Sequence, residues 1–213
     1  MLFRSLTKPP APAPIVYEGG DFREEQDLEQ LHFLLGFQGA AIGDADYYAQ
    51  SVLSTVLGGG MSSRLFQEVR EKRGLVYSIY TFASAYRESG LFGIYAGTGP
   101  SEIAELVPVV CDELQKITDH ISDAELDRAR AQIKAGLLMS MESTMSRAEQ
   151  LGQHLLLFGR SIPTSEIIGK IDEVDIDALK VAAGKLFKSL PTIAAMGPLQ
   201  HVESYEQTAR RFS

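Results

Sequence analysis

Apolar and less apolar positions alternate from Leu31 to Phe37, with Leu31, Phe33, Leu35 and Phe37 on one side and His32, Leu34 and Gly36 on the other. This period of two predicts the first strand of a sheet whose two faces are both at least partly covered. The period then lengthens to helical steps. Behind Asp44, a candidate N-cap, the residues Tyr47, Tyr48, Val52, Leu53, Val56 and Leu57 form the apolar stripe of a helix. Gly58-Gly59-Gly60 ends it, because consecutive glycines lose the most backbone entropy and supply no packing side chain. Ser62 is placed to cap a short helix in which Leu65, Phe66 and Val69 turn inward and Arg64, Glu68, Glu71 and Lys72 outward, with Gly74 as its stop. From Leu75 to Tyr86 the β-branched and aromatic residues predict a strand, and a second is expected from Leu91 to Gly97. The intervening Arg87-Glu88-Ser89-Gly90 joins them as an antiparallel hairpin.

The second half reads as mostly helical. Ser101 opens a helix with Ile103, Leu106, Val107, Val110, Leu114 and Ile117 facing a core, and Pro108 is tolerated in it at some local cost. Ser122-Asp123-Ala124-Glu125 is a capping box. After it, apolar residues from Leu126 to Leu155 at steps of three or four predict one long helix, bent near Ser143 and Thr144. Its methionines are core filler rather than a metal or cofactor stripe. Further helices are expected from Thr164 to Ile171 and from Ile176 to Phe187, then a final strand from Thr192 to Met196. The sum is an α+β fold with helices packed on a mainly antiparallel sheet.

Composition narrows the picture without redirecting it. The 213 residues suit one domain with a substantial core, and 45% hydrophobic with 23% charged residues is globular composition. Pro9, Pro10, Pro12 and Pro14, interleaved with alanine, read as an extended spacer, so residues 1–20 are assigned as a linker and 21–213 as the domain. Met1-Leu2-Phe3-Arg4-Ser5-Leu6 lacks the apolar core and cleavage site of a signal peptide. No apolar run approaches membrane-spanning length, so a soluble body with no membrane partner is expected. The single Cys111 excludes an intramolecular disulfide and favours a reducing compartment such as the cytoplasm. A net charge of −8 argues against nucleic acid as a partner, because phosphate neutralisation needs a basic surface.

The stretch from Leu57 to Ser78 carries the candidate chemistry. On spacing alone, Arg70 is a solvated helix end and Tyr77 a half-buried strand residue. At these residues the chain resembles the C-terminal, non-zinc-binding half of pitrilysin and mitochondrial processing peptidase-like zinc metallopeptidases, the inverzincins. In that family one half carries His-x-x-Glu-His, and a second half of similar fold carries a Gly-rich loop followed by an Arg and a Tyr that face the zinc. Arg70 and Tyr77, seven positions apart, match that pair. Gln30-Leu31-His32, Gly90 to Thr98, Met141-Glu142-Ser143 and Gly159-Arg160 extend the resemblance over nearly the whole chain.

The resemblance implies that Arg70 orients a peptide substrate, that Tyr77 assists the tetrahedral intermediate, and that Gly58, Gly59 and Gly60 contact or admit substrate. It implies no metal site in this chain, with zinc held by an N-terminal zinc-binding half or partner subunit. His32, His120, His154 and His201 are isolated in the sequence, with no paired motif for a zinc site. The chain is therefore expected to be inactive alone and to close a substrate chamber over its partner. Two other readings stay open: a noncatalytic core or assembly subunit, and a peptide-binding module of the same fold. An apolar face made for a partner also predicts that the isolated chain self-associates as a homo-oligomer.

Overall fold

A computed structural model describes residues 15–212. The proline-rich run from Pro9 to Pro14, read as part of the linker, lies outside them. The strands are β1 (Gly20–Glu25), β2 (Leu31–Gly39), β3 (Val76–Ala85), β4 (Gly90–Thr98) and β5 (Thr192–Gly197). They form one sheet in the order β1-β5-β2-β4-β3. β2 pairs antiparallel with β4 and β5, and β3 antiparallel with β4, while β1 runs parallel to β5. The sheet is thus mainly antiparallel, with β3 at one edge and β1 at the other.

The alternation read in β2 sorts its residues between two faces. Leu31, Phe33, Leu35 and Phe37 are buried against helices, whereas His32 is exposed and Leu34 only half-buried. Phe92, Ile94 and Ala96 of β4, Ile79 of β3 and Ile193 and Ala195 of β5 join the same core. Helix α1 (Tyr47–Gly58) supplies Val52, Leu53, Val56 and Leu57, and packs on β3 and β4. Helix α2 (Ile103–Asp119) buries the stripe from Ile103 to Ile117. Each fully buried side chain of this kind contributes about 1.5–3 kcal/mol of transfer free energy.

Helix α3 (Asp123–Ser140) opens with the predicted capping box: Ser122 Oγ accepts from Glu125 N, and Glu125 Oε2 accepts from Ser122 N at 2.9 Å. The helix expected to continue to Leu155 instead stops. A turn at Met141 and Glu142 separates it from α4 (Thr144–Phe158), whose first turn Ser143 caps by accepting from Ser146 N at 3.3 Å. A capping serine competing for the backbone turns the expected bend into a break. Then follow α5 (Thr164–Asp172), α6 (Ile176–Leu186), which packs on α1, α2 and β2, and α7 (Tyr205–Arg210).

Three further local expectations are corrected. The first strand is β1, not β2; its sequence Gly-Asp-Phe-Arg-Glu-Glu has no apolar alternation, and its place is set by pairing with β5. Asp44 does not cap α1; its carboxylate accepts from Ala41 N at 2.8 Å in the preceding turn. Ser62 does not cap the segment after the glycines, where Ser63 Oγ instead donates to Gly60 O at 2.6 Å.

Candidate functional site

After Arg64 and Leu65 the chain enters a π-helical turn, Phe66–Glu71, with the wide closure Lys72 N to Gln67 O at 3.0 Å. Val69 faces inward and is fully buried, which leaves Arg70 exposed. Gly74 at φ +65° then reverses the chain in a conformation that costs other residues more, and β3 begins two residues later.

Tyr77 lies where the β3–β4 register slips. Val76 pairs with Thr98 and Ser78 with Gly97, so Tyr77 is the extra, unpaired residue of a bulge. Val76 and Ile79 point into the core while Tyr77 and Ser78 both face out. Tyr77 is 61% exposed, which removes the half-buried packing reading. Beyond it the open sheet face carries Tyr80 stacked on Tyr95, with ring centroids 4.9 Å apart, and Tyr95 Oη sits 2.6 Å from His32 Nδ1.

The cations around the π-turn differ in their partners. Arg64 makes a two-pronged pair with Glu125, Lys72 pairs with Glu68, and Arg73 lies 3.5 Å from Glu105. The Arg70 guanidinium alone in this segment has no carboxylate or hydrogen-bond partner among the described residues; its Cζ stands 4.7 Å over the Phe66 ring. The Tyr77 hydroxyl likewise has no partner among the described residues. Five guanidinium N–H groups and one phenol are therefore left for a ligand.

The glycine loop is held rather than loose. Gln132 Nε2 donates to Gly59 O, and Gln67 Nε2 to Met61 O at 2.7 Å. Gly58 is buried, and a Cβ there would stand 2.5 Å from Thr81 N, so its lack of a side chain lets α1 lie against β3. Gly59 is half-buried and Gly60 exposed. Burial opposes ionisation of Glu125, but the Arg64 guanidinium and the Ser122 amide and hydroxyl outweigh it and hold the carboxyl down at about 2. This pair ties the segment before the π-turn to α3. Arg64 and Glu125 line a cleft of about 570 Å³, and a second, of about 760 Å³, lies where α1, α4 and α5 meet. Neither cleft is lined by Arg70 or Tyr77, which stand on open surface.

The four histidines occupy separate places: His32 on β2, His120 at the end of α2, His154 on α4 and His201 after β5. His154 Nδ1 accepts from Ile162 N at 3.2 Å. No three His, Cys, Asp or Glu side chains come together as a metal site among the described residues, so the donors here do not fit a catalytic zinc.

Residues 3–133 match the peptidase M16 inactive domain. The chain belongs to the M16 peptidase family. Among curated relatives, an uncharacterised zinc protease of Streptomyces coelicolor is 38% identical over 81% of this chain and 38% of its own length. The uncharacterised zinc protease YmxG of Bacillus subtilis is 37% identical over 84% of this chain and 44% of its own. A probable mitochondrial-processing peptidase subunit beta of Arabidopsis thaliana is 34% identical over 99% of this chain and 43% of its own. This M16 chain thus spans less than half the length of these relatives. A solved chain of complex III2 from Candida albicans, bound to Inz-5, shares the fold at TM-score 0.88 and 18% identity, covering 99% of this chain and 53% of that one.

Sequence reasoning singled out Arg70 and Tyr77 but not the π-turn and bulge that place them. The bulge left a trace: Val76 and Ile79, both apolar, are three apart in a strand whose period is two. The spacing places Phe66 on the inward side and carries no signal of its contact with Arg70.

Proposed function

We propose that this chain is the non-zinc half of an M16 endopeptidase, supplying substrate and transition-state contacts to a separate half that bears His-x-x-Glu-His. The observation that carries this reading is the pairing pattern around the π-turn: Arg70, unlike Arg64, Lys72 and Arg73, has no acid to neutralise it among the described residues, and Tyr77 is turned outward by a bulge. A guanidinium with no internal role is available to grip a peptide backbone. A structural subunit needs neither exposed donor, which weighs against the noncatalytic reading.

In this account the partner half supplies the zinc and its water. The Arg70 fork donates to carbonyl oxygens of an extended peptide and fixes its register. The Tyr77 hydroxyl donates to the oxygen that gains negative charge as the scissile carbonyl is attacked, a contact made fully only in the transition state. Of the three glycines, Gly59 and Gly60, at the accessible end of the loop, admit the substrate, while the buried Gly58 seats α1 against β3. Closing this sheet and loop over the catalytic half completes a chamber.

The test is steady-state kinetics of the chain assembled with a His-x-x-Glu-His half. Tyr77→Phe keeps the ring and removes the donor, so kcat should fall about 100-fold with little change in KM. Wild-type kcat/KM in both Tyr77→Phe and Arg70→Lys would overturn the proposal.

A further inference from the structure

We propose that Phe66 is a positioning residue for Arg70, a ring platform that holds the guanidinium fork in its peptide-binding orientation; this rests on the functional reading above. Phe66 and Arg70 lie in the same π-helical turn, four residues apart, which brings the second side chain over the first. The ring is partly buried and packs against the core, which restrains it. The Arg70 Cζ stands over the ring at 4.7 Å, within range of its negative quadrupole.

The chemistry explains why a ring is used here instead of an acid. A carboxylate would hold Arg70 as Glu125 holds Arg64, but it would consume the N–H donors that a substrate carbonyl needs. A π-face attracts the cation through its plane and leaves the in-plane N–H groups unspent. The long arginine side chain is thereby ordered before substrate arrives, which lowers the entropy lost on binding. Excluding water as the halves close strengthens the same contact.

Phe66→Leu preserves an apolar core contact but removes the quadrupole, and Phe66→Tyr restores it. In the assembled enzyme Phe66→Leu should raise KM about five- to thirty-fold with kcat within about two-fold, because Arg70 binds the peptide in ground and transition states alike. Phe66→Tyr should recover most of the loss. On the chain alone, NMR of the Arg70 side chain, assigned with Arg70→Lys, should show ring-current-shifted Hδ and Hε protons in the wild type and Phe66→Tyr but not in Phe66→Leu. Unshifted Arg70 protons in the wild type, or a wild-type KM for Phe66→Leu, would overturn the platform. Equal impairment of Phe66→Leu and Phe66→Tyr in step with a lower Tm would overturn it in favour of packing. Wild-type kinetics in Arg70→Ala would instead overturn the functional reading, while the NMR comparison judges the platform by itself.

Discussion

Arg70 and Tyr77, which we propose act on substrate, show how little separates a surface residue from a candidate functional one when only type and spacing are considered. Both are polar-tipped side chains at element ends, and both are exposed. What distinguishes them is the use made of their neighbours: acids neutralise Arg64, Lys72 and Arg73, and a bulge swings Tyr77 outward at no cost to the core positions Val76 and Ile79. Because Tyr77 contributes nothing to the core, Tyr77→Phe should leave Tm within about 1 °C of the wild type, within the range expected for an exposed substitution. Arg70→Lys should be equally silent in stability and yet raise KM and so lower kcat/KM, since an ammonium lacks the planar fork. Thermal melts of both variants, run beside the kinetics, check this; lost activity that merely follows lost stability would return both residues to packing roles.

At the scale of elements, the link between the segment Arg64–Leu65 and α3 carries a pH signature. Despite burial, Arg64 and Ser122 hold the Glu125 carboxyl down to about 2 in the folded chain, against an ordinary 4.5, so its contribution is fully present above pH 4.5 and is lost as the pH falls through 2. After allowance for solvent screening, this contribution is worth about 1–2 kcal/mol. Glu125→Gln should destabilise the chain by that amount at pH 7 and flatten its stability profile between pH 4.5 and 2, as read by urea unfolding across that range. Most elements were legible in the sequence because their apolar periods are set by the core they face, as in β2, α2 and the hairpin of β3 and β4. The rest was hidden for physical reasons. β1 carries one exposed phenylalanine and is placed by a partner 172 residues away, Gly20 against Thr192; the break before α4 rests on one serine; and a π-turn has nearly the apolar spacing of an α-helix. The candidate site was legible as a residue pair, whereas Gln132 and the Arg64–Glu125 bridge became visible only when distant segments met, and the Arg70–Phe66 contact only with the geometry of the turn that holds both.

For the whole molecule, the chain has the size of a half. Helix α4 buries none of its residues; Met145, Leu151, Leu155 and Leu156 are exposed, as are Leu138 and Met139 of α3. Apolar surface of this kind seldom stays uncovered, so the isolated chain should self-associate in sedimentation experiments and the double variant Leu155→Glu/Leu156→Glu should be monomeric. A wild-type chain that stays monomeric at high concentration would contradict that. The central claim is that catalysis needs two halves, with the metal on one and Arg70 and Tyr77 on this one. Peptide cleavage and bound zinc should therefore be measured for this chain, for a His-x-x-Glu-His half, and for their mixture. The account predicts no stoichiometric zinc and no cleavage by this chain alone, chelator-sensitive cleavage by the mixture, and about 100-fold slower turnover when the mixture contains Tyr77→Phe. Chelator-sensitive cleavage with one tightly held zinc in this chain alone, or a partner half equally active without it, would contradict the account.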